Sequence, residues 1–227
     1  MSKTIVDETD GLINSHAPYG FIFSGIVSNN RSELCQIETF HKRLSKMLSM
    51  SRNLKKVVLI SSSSVYGTYK NEFSELDDCK PVSCYGLSKL RIEKLYQENM
   101  RDRLTIFRLG NVVGLDAVGK AICNSKTNSV LIDADTNGSI AERSFVDDKI
   151  LVDSLNLVKS GYCENIKVLN IGRYQPQKMS EIAEELGVKV IIRKGEMKVQ
   201  NISLNTKLLQ SLLSKPSVNI RNSSSQS

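Results

Sequence analysis

The sequence has no apolar run that approaches the length of a membrane-spanning helix, and its first residues, MSKTIVDETDG, contain no apolar signal-peptide core. Its five cysteines lack the CxxC spacing of a metal site, so no metal is predicted and free thiols in a reducing compartment are expected. Together these absences indicate a cytoplasmic protein. Its 227 residues fit one large domain, or a domain with a small appendage.

The basic residues form no concentrated patch of the kind that binds nucleic acid. A net charge of +7 and a pI near 9.1 raise the question of such binding. The densest basic group, HKRLSK at 41–46, contains no interleaved aromatics and falls in a helical pattern, where a solvated face explains it. A basic surface that attracts anionic nucleotides explains the total charge equally well. Nucleic acid is therefore not the expected partner.

Strand-like apolar runs alternate with helical patterns along most of the chain. Strands are predicted in GFIFSGIV at 20–27 (buried on both faces), KKVVLI, RLTIFRLGNVVG at 103–114, KVLNIG at 167–172 and VKVIIRK. Helices are predicted at 32–51, 87–100, 147–161, 179–187 and in NTKLLQSLL. This alternation predicts an α/β fold, a Rossmann-like parallel sheet with helices on both faces.

Polar residues follow several predicted strands at the point where each strand ends. They are Ser61 to Ser64, the pair Gly110-Asn111, and Gly172. Ligands of parallel sheets bind beyond the carboxyl ends of the strands. The sequence therefore places a site at this edge of the sheet.

One stretch, SSSSVYGTYKNEFSELDDCKPVSCYGLSKLRIEKL at 61–95, has the chemistry of a proton-transfer site. Tyr85 and Lys89 lie four residues apart, so both project from one face of a helix. An ammonium beside a phenol favours the phenolate and is expected to lower the pKa of Tyr85 from about 10. The hydroxyl of Ser62 is expected to bind the same substrate oxygen. Because YxxxK alone is common in helices, the order of strand, serine turn and helix carries this prediction.

That order resembles the extended short-chain dehydrogenases/reductases, the NAD-dependent epimerase/dehydratase family that acts on nucleotide sugars. The segments VVLISSSSVYG and PVSCYGLSKLRIEKL match the family's strand with its serine turn and its tyrosine–lysine helix. The resemblance covers roughly 20–213, through FRLGNVVG, RSFVDD, VLNIG, MSEIAEEL and NISLNTKLLQSL. It is specific in combination rather than in any single segment.

The resemblance implies a role for each matched residue. Ser62 matches the catalytic hydroxyl and Tyr85 the general acid/base, while Lys89 would hold the nicotinamide ribose of NAD or NADP. Asn111 matches a substrate contact, and Arg143 matches a contact to the phosphates of a nucleotide sugar. A loop hydrogen bond or a surface ion pair explains the last two about equally well.

The serine turn also narrows the reaction that the resemblance implies. In sugar 4,6-dehydratases of this family, acidic residues follow the catalytic hydroxyl and help to eliminate water. Ser63 and Ser64 occupy those places here, and serine is a poor proton donor. The resemblance therefore implies an epimerase or reductase rather than a dehydratase. A homodimer is a further expectation, because family members often dimerise through the helices around the YxxxK segment.

The glycine-rich motif with which the family begins is missing. None of the 13 glycines falls in the GxxGxxG spacing, which lets backbone approach a pyrophosphate at a helix N-terminus. TIVDETDGLI resembles the family's third strand, so Asp7 matches an adenine-contacting aspartate, and GFIFSG resembles the fourth. Ser24 and Ser61 are further expected cofactor contacts. The fold is thus expected to be N-terminally incomplete by about two βα units, at about 30 residues per βαβ unit.

Three explanations of the missing motif remain open. The reading frame is a fragment of a longer enzyme, or the chain pairs its open sheet edge with a partner or second copy. Alternatively, it is a degenerate family member that binds a nucleotide sugar weakly or not at all. The leading function is an NAD(P)-dependent nucleotide-sugar epimerase or reductase, and the alternative is a non-catalytic binding or interaction module.

The expected organisation has two portions and a tail. A partial Rossmann-like core is assigned to 1–113 and 143–175. A smaller substrate-binding portion is assigned to 114–142 and 176–220, and 221–227 is expected to be a disordered tail.

Overall fold

The computed structural model of the protein describes residues 18–23, 31–114, 129–196 and 201–215. Its strands are β1 Tyr19–Phe23, β2 Lys56–Ser62, β3 Glu72–Phe73, β4 Leu104–Leu109, β5 Asn111–Val112, β6 Ser129–Ala134, β7 Glu142–Arg143, β8 Phe145–Val146, β9 Val168–Ile171, β10 Gln177–Lys178, β11 Lys189–Lys194 and β12 Ser203–Leu204. Its helices are α1 Arg31–Met50, α2 Cys84–Met100, α3 Asp148–Lys159, α4 Met179–Glu185 and α5 Lys207–Leu213. None of the helices within these ranges is long and apolar enough to cross a bilayer.

A four-stranded parallel sheet with the order β1-β2-β4-β9 forms the centre of the fold. Strands β2 and β4 are apolar along most of their length and are buried almost throughout. Parallel neighbours need crossover connections, and α2 supplies the one between β2 and β4. The predicted Rossmann-like parallel sheet is confirmed.

Helices cover both faces of this sheet, because side chains along a strand alternate between its faces. Val57 and Leu59 pack on one side with residues of α1 and α2. Val58 and Ile60 pack on the other side with residues of α3 and α5. The α1 residues that follow the predicted helical spacing, among them Leu34, Leu44 and Leu48, lie in the first of these clusters.

The described part of the first predicted strand is only partly buried: Ile22 lies in one apolar cluster, and Phe21 packs half-buried against the cluster on the other face. Strand β1 ends at Phe23, whose side chain is 61% exposed, and only Ile22 is fully buried. The reason is that β1 pairs with β2 on one side and has no second neighbour among the described residues. The rest of that predicted strand, the TIVDET strand and the polar tail lie outside the described residues.

A smaller layer is built from a parallel pair of strands, β6 and β11, packed on α4. Its apolar cluster is formed by Val130, Ile132, Ala183 and Val188. Helix α5, which the sequence assigns to the smaller portion, instead packs against α3 and β9 of the main core. Two-residue pairings (β3 with β12, β5 with β8, β7 with β10) connect the surrounding loops.

Candidate active site

The serine turn after β2 orients the hydroxyl of Ser62. Its Oγ accepts hydrogen bonds from the Ser64 backbone N–H at 3.2 Å and from the Ser64 hydroxyl at 3.0 Å. Because both acceptor positions of the oxygen are used, the Ser62 proton is available to a third group. Tyr85 lines the same cavity as Ser62, which places its phenol on the side of the turn where this proton is available.

Helix α2 places Tyr85 and Lys89 on one face beside this turn. The helix begins at Cys84, three residues before the predicted start, because the Ser83 side chain caps it by accepting from the Gly86 N–H at 3.0 Å. Tyr85 therefore lies in the first turn of the helix. Lys89 follows one turn later, with its Nζ 5.5 Å from the centroid of the Tyr85 ring.

The structure corrects the expected acidity of Tyr85. Burial raises the pKa of the phenol above its ordinary value, and the hydrogen bond from Ser62 offsets only part of that change. Lys89 faces the ring rather than the oxygen, so its charge does not produce the predicted lowering. Burial also lowers the pKa of Lys89 to about 8, although the negative charge of Glu93 acts in the other direction and raises it. The raised pKa keeps the Tyr85 phenol protonated at neutral pH, so it is suited to donate a proton.

A cavity of about 420 Å³ opens over the serine turn and Tyr85 at the carboxyl ends of the strands. Four of the predicted site residues line it, namely Ser62, Tyr85, Asn111 and Arg143. The sequence did not reveal the other side chains of the lining, which include Thr68, Val82, Ser83, Val112, Ile202 and Leu204. They come from loops and from the short strands β5 and β12, whose proximity depends on tertiary structure, so no local sequence signal identifies them.

Backbone pairing holds Asn111 and Arg143 at the wall of the cavity. The Asn111 N–H donates to the Ser144 carbonyl at 2.8 Å, and the Leu204 N–H donates to the Ser144 hydroxyl at 2.8 Å. Burial lowers the pKa of the Arg143 guanidinium from its ordinary value. A half-buried guanidinium at a cavity wall is suited to binding an anionic group such as a phosphate.

Of the three residues expected to contact only the cofactor, the structure describes one, Ser61. Asp7 and Ser24 lie outside the described residues. Ser61 is buried, and its hydroxyl donates to Glu93 at 2.5 Å, so it faces the core rather than the cavity. A cofactor contact at Ser61 would have to come from its backbone.

A buried polar network that the sequence did not predict lies directly behind the site. Arg108 donates two hydrogen bonds to the Glu93 carboxylate, at 3.1 and 2.7 Å. The Arg108 guanidinium also stacks on the Tyr66 ring at 4.7 Å, and the Tyr66 hydroxyl donates to Asn170 at 2.7 Å. The available signal was a single arginine in the otherwise apolar strand TIFRL, since a charged residue in a buried strand requires a partner.

Gly86 allows the start of α2 to lie against the serine turn, and its replacement by Ala is expected to separate them. A Cβ there would lie 2.5 Å from the Ser64 carbonyl oxygen and 3.1 Å from the Pro81 Cβ. We expect a stability loss of about 1–3 kcal/mol, typical of overpacking. Because Tyr85 moves away from Ser62, turnover should fall as well. Urea denaturation and initial rates check both effects.

Gly195→Ala is the matched control, because a Cβ at Gly195 meets no atom within 4 Å. Equal behaviour of the two alanine variants would contradict the proposed contact between α2 and the turn.

A parallel sheet with a serine, a tyrosine and a lysine at its carboxyl edge defines the short-chain dehydrogenase/reductase class of folds. The sequence pattern of the NAD dependent epimerase/dehydratase family matches residues 24–143, more than half of the chain. The chain therefore belongs to this family. A comparison with curated protein sequences finds no significant match.

Solved structures share the fold. MoeE5 in complex with UDP-glucuronic acid and NAD is 26% identical, with a TM-score of 0.61 over 76% of this chain and 62% of that one. MoeE5 with UDP-glucose and NAD is 23% identical, with a TM-score of 0.70 over 90% and 75%. The UDP-Glc/GlcNAc 4-epimerase of Campylobacter jejuni is 18% identical, with a TM-score of 0.71 over 94% and 77%. The chain thus spans 62% to 77% of these proteins.

Proposed function

We propose that the protein is an NAD(P)-dependent nucleotide-sugar epimerase or reductase. The single observation that carries this proposal is that Ser62 and Tyr85 line one cavity, with the Lys89 Nζ 5.5 Å from the centroid of the Tyr85 ring. Family membership supports it, and so do the nucleotide sugars and NAD bound by MoeE5.

Proton transfer in this site is the task of Tyr85, with Ser62 as its orienting partner. A sugar oxygen bound between the two hydroxyls would lie within hydrogen-bond reach of both. Because burial keeps the phenol protonated, Tyr85 is ready to donate a proton to a carbonyl oxygen. Removing a proton from a sugar hydroxyl requires additional positive charge close to the phenol oxygen.

The residues present fit the nicotinamide end of a dinucleotide. Lys89 is a buried ammonium beneath the Tyr85 ring, where it would donate to ribose hydroxyls. When bound, the cofactor supplies hydride transfer at the sugar carbon.

The turn geometry favours epimerase or reductase chemistry over dehydration. The Ser64 hydroxyl is committed to Ser62, and Ser63 lines the cavity without a carboxylate. Elimination of water needs an acid for the leaving hydroxyl, and neither serine provides one.

The competing function is a non-catalytic binding or interaction module. The cavity lining favours it, because it includes Ser62 and Tyr85 but not Lys89, and a cavity that binds only the sugar nucleotide needs no dinucleotide site. The two functions differ in whether NAD(H) binds at all.

The test is incubation of the full chain with NAD and a panel of UDP-hexoses, UDP-N-acetylhexosamines and UDP-hexuronic acids, followed by proton NMR. An epimer formed without net NADH change identifies an epimerase, and stoichiometric NADH turnover identifies an oxidoreductase that oxidises or reduces the sugar. A dehydrated sugar would contradict the preference against elimination. No product with any substrate would favour the non-catalytic alternative.

A further inference from the structure

The carboxylate of Glu93 lies at the meeting point of three elements beneath the site. It projects from α2, one helical turn beyond Lys89, and its side chain is 1% exposed. One oxygen accepts from the Ser61 hydroxyl at 2.5 Å and from Arg108 Nε at 3.1 Å, and the other accepts from Arg108 Nη2 at 2.7 Å. Ser61 and Arg108 are direct partners in the β2–β4 register.

This arrangement ties the catalytic helix to the strand end that carries Ser62. Ser61 is the residue immediately before Ser62, so the bond from Glu93 fixes the backbone from which the catalytic hydroxyl projects. Tyr85 and Lys89 are on the same helix as Glu93, so one side chain sets the distance between both halves of the site.

Glu93 also acts on the charge of Lys89. The ammonium is buried, with 7% of the residue exposed, and the negative charge of Glu93 favours its protonated form. The other charged or titratable groups that interact with Glu93 are Arg108 from β4 and Cys79 from the loop before α2. Glu38, from the neighbouring helix α1, contacts Ser88 and Arg91 instead.

We propose that Glu93 is a positioning residue of this site, which holds the end of β2 against α2 and places a carboxylate one helical turn from Lys89. Its importance for catalysis rests on the proposed function of the protein. The geometry on which it stands is independent of any substrate. Replacing Glu93 should therefore change a property of Lys89 that is measurable without turnover.

The experiment is an NMR titration of isotope-labelled lysine side chains in the full chain, with Lys89→Met identifying the Lys89 signal. Glu93→Gln should lower the pKa of Lys89 by about 1–3 units, as expected for loss of a neighbouring opposite charge. If the chain proves active, the decline of turnover at high pH should begin at a correspondingly lower pH in this variant.

A second variant separates this role from a purely structural one. Glu93→Gln alone leaves the Arg108 guanidinium buried without its carboxylate and can unfold the chain. The double variant Glu93→Gln/Arg108→Met removes both charges and should recover stability. The pKa of Lys89 in the double variant should nevertheless stay below its value in the unmodified chain.

An unchanged Lys89 pKa in the folded double variant would overturn the proposal and leave Glu93 as a structural partner of Arg108. An inactive wild-type chain would contradict the proposed function alone, because the titration needs no substrate. The two failures are therefore distinguishable.

Discussion

Replacing Tyr85 with Phe is expected to lower turnover at least about 100-fold, the lower end of what a positioned general acid/base contributes. Tyr85 lines the cavity together with Ser62, and Phe removes the phenol oxygen while keeping the ring. The fold should remain intact, since the ring continues to pack against the core cluster formed with α1 and α2. Initial rates and circular dichroism measure the two outcomes.

Tyr69→Phe is the matched control, because Tyr69 is 45% exposed and its hydroxyl bonds only the Asp78 carbonyl outside the cavity. Its rate should match that of the unmodified chain. Turnover that survives Tyr85→Phe would show that another group transfers the proton.

The second large effect concerns stability. Arg108→Met should destabilise the fold by about 3–5 kcal/mol, the usual consequence of removing one partner of a buried ion pair. The Arg108 and Glu93 side chains are only 7% and 1% exposed, so the remaining carboxylate would keep the Ser61 hydroxyl as a donor but lose its opposite charge in a site with little solvent. Burial alone would lower the pKa of Arg108, but the hydrogen bonds and charge of Glu93 outweigh it and raise that pKa. Urea unfolding with linear extrapolation measures the loss.

Arg91→Met provides the comparison on helix α2. Arg91 pairs with Glu38 at 3.5 Å, but its side chain is 56% exposed, and such surface pairs contribute about 0–1 kcal/mol. Equal losses for the two arginine variants would contradict the assignment of Arg108 to a buried structural pair.

Local sequence patterns predicted the elements that carry the proposed catalytic residues. The apolar run before Ser61 and the helical spacing around Lys89 each correspond to one element, and side-chain order along a helix fixes the proximity of Tyr85 and Lys89. The pairing of β6 with β11 joins segments about 60 residues apart, and nothing in either segment identifies its partner.

Electrostatics around the site could not be predicted from spacing alone. Four-residue spacing places Lys89 near Tyr85 but does not show that Nζ faces the ring, or that burial raises the pKa of the phenol. The role of Glu93 depends on Arg108, which lies 15 residues further along the chain and contacts the Glu93 carboxylate from strand β4. Burial and long-range contacts decide these properties, and both require the folded structure.

Titration of the full chain with NADH, followed by nicotinamide fluorescence, tests the cofactor site most directly. We expect a saturable signal that Lys89→Met weakens and Tyr69→Phe leaves unchanged, because Lys89 is the residue proposed to hold the nicotinamide ribose and Tyr69 does not line the cavity. Absence of binding up to millimolar NADH, or equal binding by the Lys89→Met chain, would contradict a functional Ser62–Tyr85–Lys89 site.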